Sequence, residues 1–289
     1  MERGFGSRTF FLSCWVSSCG NRRRTINHGV MEIIEGNIYD YPVYYDLVFG
    51  ADWSAEYHFL RACFAKHVPG KTKRLFEPAC GTGRLLYRFA KAGYSIGGLD
   101  LNPKAVEYCN ERLVRNGLKG DIRVGDMCDF KVNRPFDAAF NTINSFRHLL
   151  TEKQAAQHLS CMAEAIRPGG IYALGLHLTP TEGIPTDTES WNARRGSLSV
   201  NTHMWPLSRD LKKRIERFGM RFDVYSPTSQ FRINDELVLR SYTAKQFDQL
   251  LAKVPQWKIE AVYDFRYRID APIEIDPTVE DVVYILKRS

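Results

Sequence analysis

Residues 74–84, Arg-Leu-Phe-Glu-Pro-Ala-Cys-Gly-Thr-Gly-Arg, constrain this 289-residue chain more than any other stretch. A short apolar strand closes on an acid, and a Gly-x-Gly turn opens a helix predicted over 84–92. Gly81 and Gly83 carry no Cβ, so they accept positive φ and let the main chain approach a ligand closely. The helix that follows begins with unpaired N–H groups at its positive end, where polar ligand atoms are well placed. A dinucleotide fingerprint wants a third glycine three residues after the second, and position 86 is Leu. Glu77 stands at the strand's end, ahead of the glycines, and a carboxylate there suits a cationic or hydroxyl-bearing ligand better than a pyrophosphate.

The segment Glu77-Pro78-Ala79-Cys80-Gly81-Thr82-Gly83 resembles motif I of the class I S-adenosylmethionine-dependent methyltransferases, with Ala79 at the pattern's first glycine. Four further stations follow in the family's order: Ile96–Asp100, Val124–Met127, Phe136–Asn141 and Ile166–Gly170. The similarity covers roughly residues 40–178 and the closing strands. It implies S-adenosyl-L-methionine as cofactor, held by Glu77, Ala79, Cys80, Gly81, Thr82, Gly83, Asp100, Leu101, Asp126, Met127 and Asn141. In the family the acid at Asp100 grips both ribose hydroxyls, and the one at Asp126 accepts from the adenine amino group. Each residue also has a plainer reading: Asp100 as a helix N-terminal acid, Asp126 as a turn residue, Cys80 as packing.

The fold class read from this order is α/β: a Rossmann-like seven-stranded, mostly parallel sheet with helices on both faces and an antiparallel β insert after strand five. Strands at 73–77, 95–99, 121–124, 136–141 and 171–177 alternate with helices at 84–92, 103–116 and 152–166. Asn102-Pro103 starts a helix that Gly117 ends, and Thr151-x-x-Gln154 and Thr243-x-x-Gln246 are capping boxes. From about 179 to 240 helical periodicity is lost and alternating runs appear at 197–205, 210–218, 220–225 and 236–242, with a turn at 206–210. Strands at 257–265 and 282–287 close the sheet. Ser54 is expected to cap a helix over 55–68.

The domains are expected to be a non-core tail at 1–30, a lid and first helix at 31–70, and a catalytic domain at 71–289. The tail is Arg- and Ser-rich with an apolar run from Phe10 to Val16, which fits a targeting segment or a start codon placed too early, Met31 being the working start. Arg3, Arg8, Arg22, Arg23 and Arg24 against Glu2 give the tail +4 of the chain's +7, leaving about +3 on the body. That is a poor case for a nucleic-acid partner. Seven scattered cysteines without a Cys-x-x-Cys pair point to free thiols in the cytoplasm and no metal site. No apolar run is long enough for a membrane span, and pairing into a homodimer stays open.

Methyl transfer from a sulfonium needs a lone pair, alignment and a desolvated pocket, so orientation does much of the work and a base is optional for amines. The acceptor is expected to be a small molecule carrying an amine or hydroxyl. Asn141 and His148, on the stretch after strand four, are the catalytic candidates, His148 as base. Tyr44 and Tyr45, in a Tyr- and Asp-rich approach that folds over the cofactor, join His177, Trp191 and Arg194 as substrate-side candidates. The alternatives are an RNA or protein methyltransferase, a nicotinamide oxidoreductase, against which Leu86 counts, and a cofactor-binding partner without turnover.

Overall fold

Along the core strands the apolar side chains alternate between two faces, and that alternation builds a three-layer molecule. Leu75, Ala138, Ile171, Ala173, Val283 and Ile285 face one apolar layer, while Phe76, Ala139, Tyr172, Leu174, Val282 and Tyr284 face the other. The computed structural model describes residues 31–183 and 188–289, so the expectations for the first 30 residues lie outside it. Met31–Ser289 form one unit.

In chain order the elements are β1 (Glu32–Glu35), a 3-10 turn (Ile38–Asp40), α1 (Pro42–Phe49), α2 (Ser54–His67), β2 (Arg74–Pro78), α3 (Leu86–Lys91), β3 (Ser95–Asp100), α4 (Pro103–Arg115), β4 (Asp121–Val124), β5 (Phe136–Asn141), a 3-10 turn (Ser145–His148), α5 (Glu152–Ala165), β6 (Ile166–His177), β7 (Glu189–Arg195), β8 (Leu198–Asp210), β9 (Ile215–Tyr225), β10 (Gln230–Arg240), α6 (Ala244–Leu251), β11 (Trp257–Tyr263) and β12 (Asp281–Arg288). The core sheet has seven strands in the order β11-β12-β6-β5-β2-β3-β4. Strands β2 to β6 are parallel, and β12 runs antiparallel to both β6 and β11. The expected Rossmann-like architecture is therefore present. Its strand order reverses between β2 and β5, and ligands of such sheets bind beyond the strand ends at that point.

A second sheet of five strands, β1-β10-β9-β8-β7, follows β6, the core sheet's fifth strand in the chain. Its members pair antiparallel except β1, which joins β10 in parallel from the far N-terminal side of the chain. Three details differ from the sequence reading. The expected run at 210–218 contains the β8–β9 turn at 211–214, and its remainder from Ile215 joins the run at 220–225 as one strand, β9, because Gly219 continues the ladder with Trp205 lying against it. The turn expected at 206–210 lies inside β8, where a register shift between Pro206 and Ser208 absorbs the proline that cannot donate. The hairpin closes later, at Arg214, whose φ is 59°.

Local signals explain the starts of α4, α5 and α6. Asn102 Oδ1 accepts from the N–H groups of Lys104 and Ala105 at 2.9 and 3.2 Å, and both capping boxes form. Helices α1, α2 and α3 begin without a side-chain cap, and at α2 the expected cap Ser54 is already helical with Trp53 before it.

His158 on α5 shows how the core holds a titratable group. It is fully buried, with Nδ1 2.9 Å from the Met127 carbonyl and Nε2 3.0 Å from the Tyr172 hydroxyl. Burial pushes its pKa down to about 4. The unfolded chain, titrating near 6.5, then binds the extra proton between those values, so stability present above pH 6.5 is lost as pH falls toward 4. At pH 4 that loss amounts to at most roughly 3 kcal/mol. Urea unfolding should show His158→Gln flattening the decline between pH 6.5 and 4.5, and an unchanged slope would contradict it.

Candidate active site

At the C-terminal ends of β2, β3 and β4 lies a cavity of about 420 Å³. Ala79, Gly81 and Thr82 form one wall and the β3 tip from Leu99 to Asn102 a second; Gly125 and Met127 contribute from the end of β4. Tyr39 and Tyr45 cover it, and Ile143 and His148 close it from the segment after β5. Leu101 and Ile143 are exposed apolar side chains that turn toward this space.

The turn after β2 has the left-handed backbone its glycines allow. Gly81 has φ 52° and Gly83 φ 65°. Ala79, between them and the strand, also sits at φ 50°, a conformation that costs an L-residue roughly 1–2 kcal/mol and is found where function requires it. A Cβ on Gly81 would point at the gap between Asp100 Oδ2 and the Tyr45 ring, 4.0 Å from each. Gly83 has a different task, since a Cβ there would collide with Cys109 Sγ.

Asp100 holds the cradle together. Its Oδ2 accepts from the Gly81 N–H at 2.7 Å and its Oδ1 from the Asn102 N–H at 2.8 Å. Burial raises its pKa, and those two N–H groups oppose the rise. The remaining lone pairs of a carboxylate in this position suit hydroxyl donors of a ligand.

The segment that covers the cavity is fastened by a residue that the sequence did not single out. Asp46 on α1 is 3% exposed; its Oδ1 accepts from Thr82 Oγ1 at 3.1 Å. Its Oδ2 pairs with Arg112 of α4 and accepts from the Tyr108 hydroxyl at 3.3 Å and from Arg195 at 3.4 Å. Burial alone would raise the Asp46 pKa, but Arg112, Thr82 and Arg195 hold it below the usual carboxylate range. Asp40 adds bonds to Asn102 and Lys104 at 2.7 and 3.1 Å. The Tyr39, Tyr45, Phe49 and Trp191 rings form a continuous contact series from cavity to insert, with successive centroids 5.2, 4.5 and 5.8 Å apart.

His148 ends the 3-10 turn after β5, and the preceding residue fixes it. Arg147, 2% exposed, donates from Nε to the Arg240 carbonyl at 2.8 Å and pairs with Glu216 of β9. His148 Nε2 lies 3.1 Å from the Tyr39 hydroxyl. The side chain is exposed toward the cavity, and nearby protein atoms together with the Arg147 charge lower its pKa. Burial, with Tyr45, Asp235 and Asp100 nearby, raises the pKa of Tyr39. At neutral pH the pair is accordingly a neutral phenol hydrogen-bonded to a neutral imidazole.

Of the residues expected to contact cofactor, Ala79, Gly81, Thr82, Asp100, Leu101 and Met127 line the cavity. Glu77, Cys80, Gly83, Asp126 and Asn141 are not among its lining residues. Cys80 is buried, and it packs close to Gly98. Asp126 turns its carboxylate to the Cys128 N–H at 2.8 Å. Asn141, expected beside the reacting group, is buried and donates to the Pro78 carbonyl at 2.7 Å. On the substrate side, Tyr45 reaches the cavity, whereas Tyr44 packs on Phe231 and Trp191 on Phe49. Arg194 is exposed and donates to the Gly196 carbonyl at 2.9 Å. His177 pairs with Asp281 at 2.9 Å, away from the cavity lining. Sequence reasoning missed Asp46, Glu56 and Arg147; Asp46 lay within the Tyr- and Asp-rich approach, while no local pattern marks the other two.

The donor set fits a cationic, hydroxyl-bearing cofactor. Glu77 Oε2 and Asn141 Oδ1 are buried acceptors without a partner among the described residues, and burial raises the Glu77 pKa. Unmet acceptors of this kind are costly unless a ligand brings donors. Asp100 would hold hydroxyls, and the apolar Leu99, Leu101 and Met127 would hold a flat ring.

Residues 76–170 match the family described as methyltransferase domain. Over 135 residues the chain is 29% identical to dTDP-3-amino-3,4,6-trideoxy-alpha-D-glucopyranose N,N-dimethyltransferase of Streptomyces venezuelae, covering 46% of this chain and 55% of that protein. Over 203 residues it is 25% identical to dTDP-4-amino-2,3,4,6-tetradeoxy-D-glucose N,N-dimethyltransferase of Saccharopolyspora spinosa, covering 70% and 78%. The solved structure of S-adenosylmethionine-bound CalS10, an amino pentose methyltransferase from Micromonospora echinaspora, superposes with a TM-score of 0.67 at 20% identity, covering 86% of this chain and 96% of that one. At that identity the structural likeness speaks for the fold alone.

Asp100→Ala removes the acceptor of two N–H groups and, with it, the expected partner of the ligand's hydroxyls. Calorimetric titration with S-adenosylmethionine should show binding weakened by about 100-fold or more, the scale of two lost charge-assisted bonds; unchanged affinity would contradict the assignment.

Proposed function

We propose that this class I S-adenosylmethionine-dependent methyltransferase transfers the donor's methyl to the amine nitrogen of a small molecule, an amino sugar being the acceptor class its relatives favour. The observation that carries the reading is the neutral His148–Tyr39 pair on the wall of the cavity that Gly81 and Asp100 shape.

When bound, the donor supplies a methyl on a positively charged sulfur, already activated for displacement. The protein's own part is to hold, align and dry the reactants. Ala79, Gly81 and Asp100 place the cofactor at the strand tips; Leu101 and Ile143 exclude water; Tyr39 and Tyr45 lie over it. An amine attacks only through a free lone pair, so the acceptor must be unprotonated when it meets the methyl. His148 Nε2 takes the proton that the nitrogen sheds, with the Tyr39 hydroxyl as the relay hydrogen-bonded to it. The depressed pKa of His148 keeps that nitrogen free at neutral pH.

The lid at 31–70 and the catalytic part at 71–289 then work as one device, with the insert shaping the acceptor side. Among the described residues no helix is long and apolar enough to cross a membrane. The free thiols of Cys63, Cys80, Cys109, Cys128 and Cys161 favour the cytoplasm as the working compartment.

A donor-consumption screen over amino sugars, other amines and hydroxyl analogues tests the acceptor class, with turnover on an amine expected and turnover confined to hydroxyls contradicting it. On the best acceptor, His148→Ala should lower kcat by about 100-fold or more, the scale of general-base assistance, with KM little changed. Since the imidazole must be neutral and its pKa lies below the ordinary value, the wild type should show an acid limb of kcat below pH 6.5 that the variant lacks, leaving there only the limb set by the acceptor amine. A normal rate in the variant removes His148 from the chemistry.

A further inference from the structure

A second cleft, of about 370 Å³, opens where the end of α1 meets α3 and α4. It shares no lining residue with the donor cavity. Its walls carry five guanidinium groups, those of Arg84, Arg88, Arg112, Arg115 and Arg195.

The counter-charges do not match them. Arg84 is satisfied by both oxygens of Glu56, at 2.6 and 2.8 Å. Arg112 and Arg195 share the single carboxylate of Asp46. Arg115 meets Glu111 only at 3.9 Å on the exposed rim. Arg88 makes no ion pair among the described residues: it lies over the Trp53 ring, 3.6 Å from the centroid, and its Nε is buried without an acceptor. Desolvation lowers the pKa of Arg88, with the charges of Arg112 and Arg84 adding to it and Tyr87 and Asp46 opposing it.

We propose that this cleft binds the diphosphate of a phosphorylated small molecule. Guanidinium forks match phosphate oxygens two at a time, and Arg88 brings to the cleft wall a guanidinium with no carboxylate partner among the described residues. The cleft exceeds the needs of one phosphate, and the Tyr87 and Tyr108 rings on its wall, 5.6 and 5.0 Å from the Arg112 guanidinium, offer flat surfaces to a carrier ring. Asp46 faces the same space and competes with the incoming anion for Arg112 and Arg195. The cleft thereby couples to the lid, since Asp46 is also the residue that bonds Thr82.

Calorimetry on the full chain at low salt, with inorganic pyrophosphate and with uridine diphosphate, tests the proposal by binding rather than turnover, so its outcome is separable from the acceptor reading. The wild type should bind pyrophosphate, and the nucleotide more tightly if the tyrosines hold its ring. The double variant R88Q/R115Q should lose about tenfold or more in affinity, while its affinity for S-adenosylhomocysteine without pyrophosphate stays within about twofold. Should the double variant fail to fold, Arg115→Gln alone, on the exposed rim, should still weaken binding. Absence of binding to the wild type, or wild-type affinity in the arginine variants, overturns the proposal.

Discussion

One buried carboxylate ties the molecule's parts together. Asp46 projects from the lid helix and reaches the hydroxyl of Thr82 in the cofactor turn, the guanidinium of Arg112 on α4 and that of Arg195 on β7. Lid, core and insert meet at this single side chain. Removing it would leave Arg112, 15% exposed, without its counter-charge, while Arg195, 61% exposed, would keep its solvent. Around it, Leu47 and Val48 of the same helix pack on the inner face of the insert sheet with Val200, Phe222 and Ile233. The tyrosines that cover the cavity are consequently held by packing on one side and by charge on the other.

A second buried pair plays the corresponding part across the cavity. Arg147 and Glu216 join the 3-10 turn after β5 to strand β9, with Arg209 on the other oxygen of Glu216 at 2.6 Å. His148 follows Arg147 directly, so the imidazole's position depends on the insert although it belongs to the core domain's chain. The insert thus serves the site in two ways, as the support of the lid and as the anchor of the His148 turn. Its strands need no catalytic side chains of their own for that.

The core of this architecture was legible because its physics is local. Strand, glycine turn and helix at 74–91, the Asn102 cap, the two capping boxes and the acid at Asp100 are all set by residues within a few positions of one another. What the sequence hid is non-local. The joining of β1 to β10 links residues about 200 apart, and no pattern within either segment announces it. Asp46, Glu56 and Arg147 each act through a partner on another element, so they read as ordinary charged residues until the chain is folded. The turn expected at Pro206 was misplaced for a related reason: proline breaks a ladder only where its missing N–H is needed, and the register shift beside it removes that need. Asn141 and Asp126 each bond a nearby backbone group as well, the first through Nδ2 to the Pro78 carbonyl and the second through Oδ1 from the Cys128 N–H, contacts that the motif's position alone does not announce.

The account stands on the cavity between the Gly81 turn, the Asp100 tip and the two lid tyrosines. Crystals grown with S-adenosylhomocysteine test it most directly. Density for the sugar within hydrogen-bond reach of Asp100, beneath Tyr39 and Tyr45, is the predicted result. Density seated elsewhere, or a well-ordered protein that binds none at saturating concentration, would contradict it.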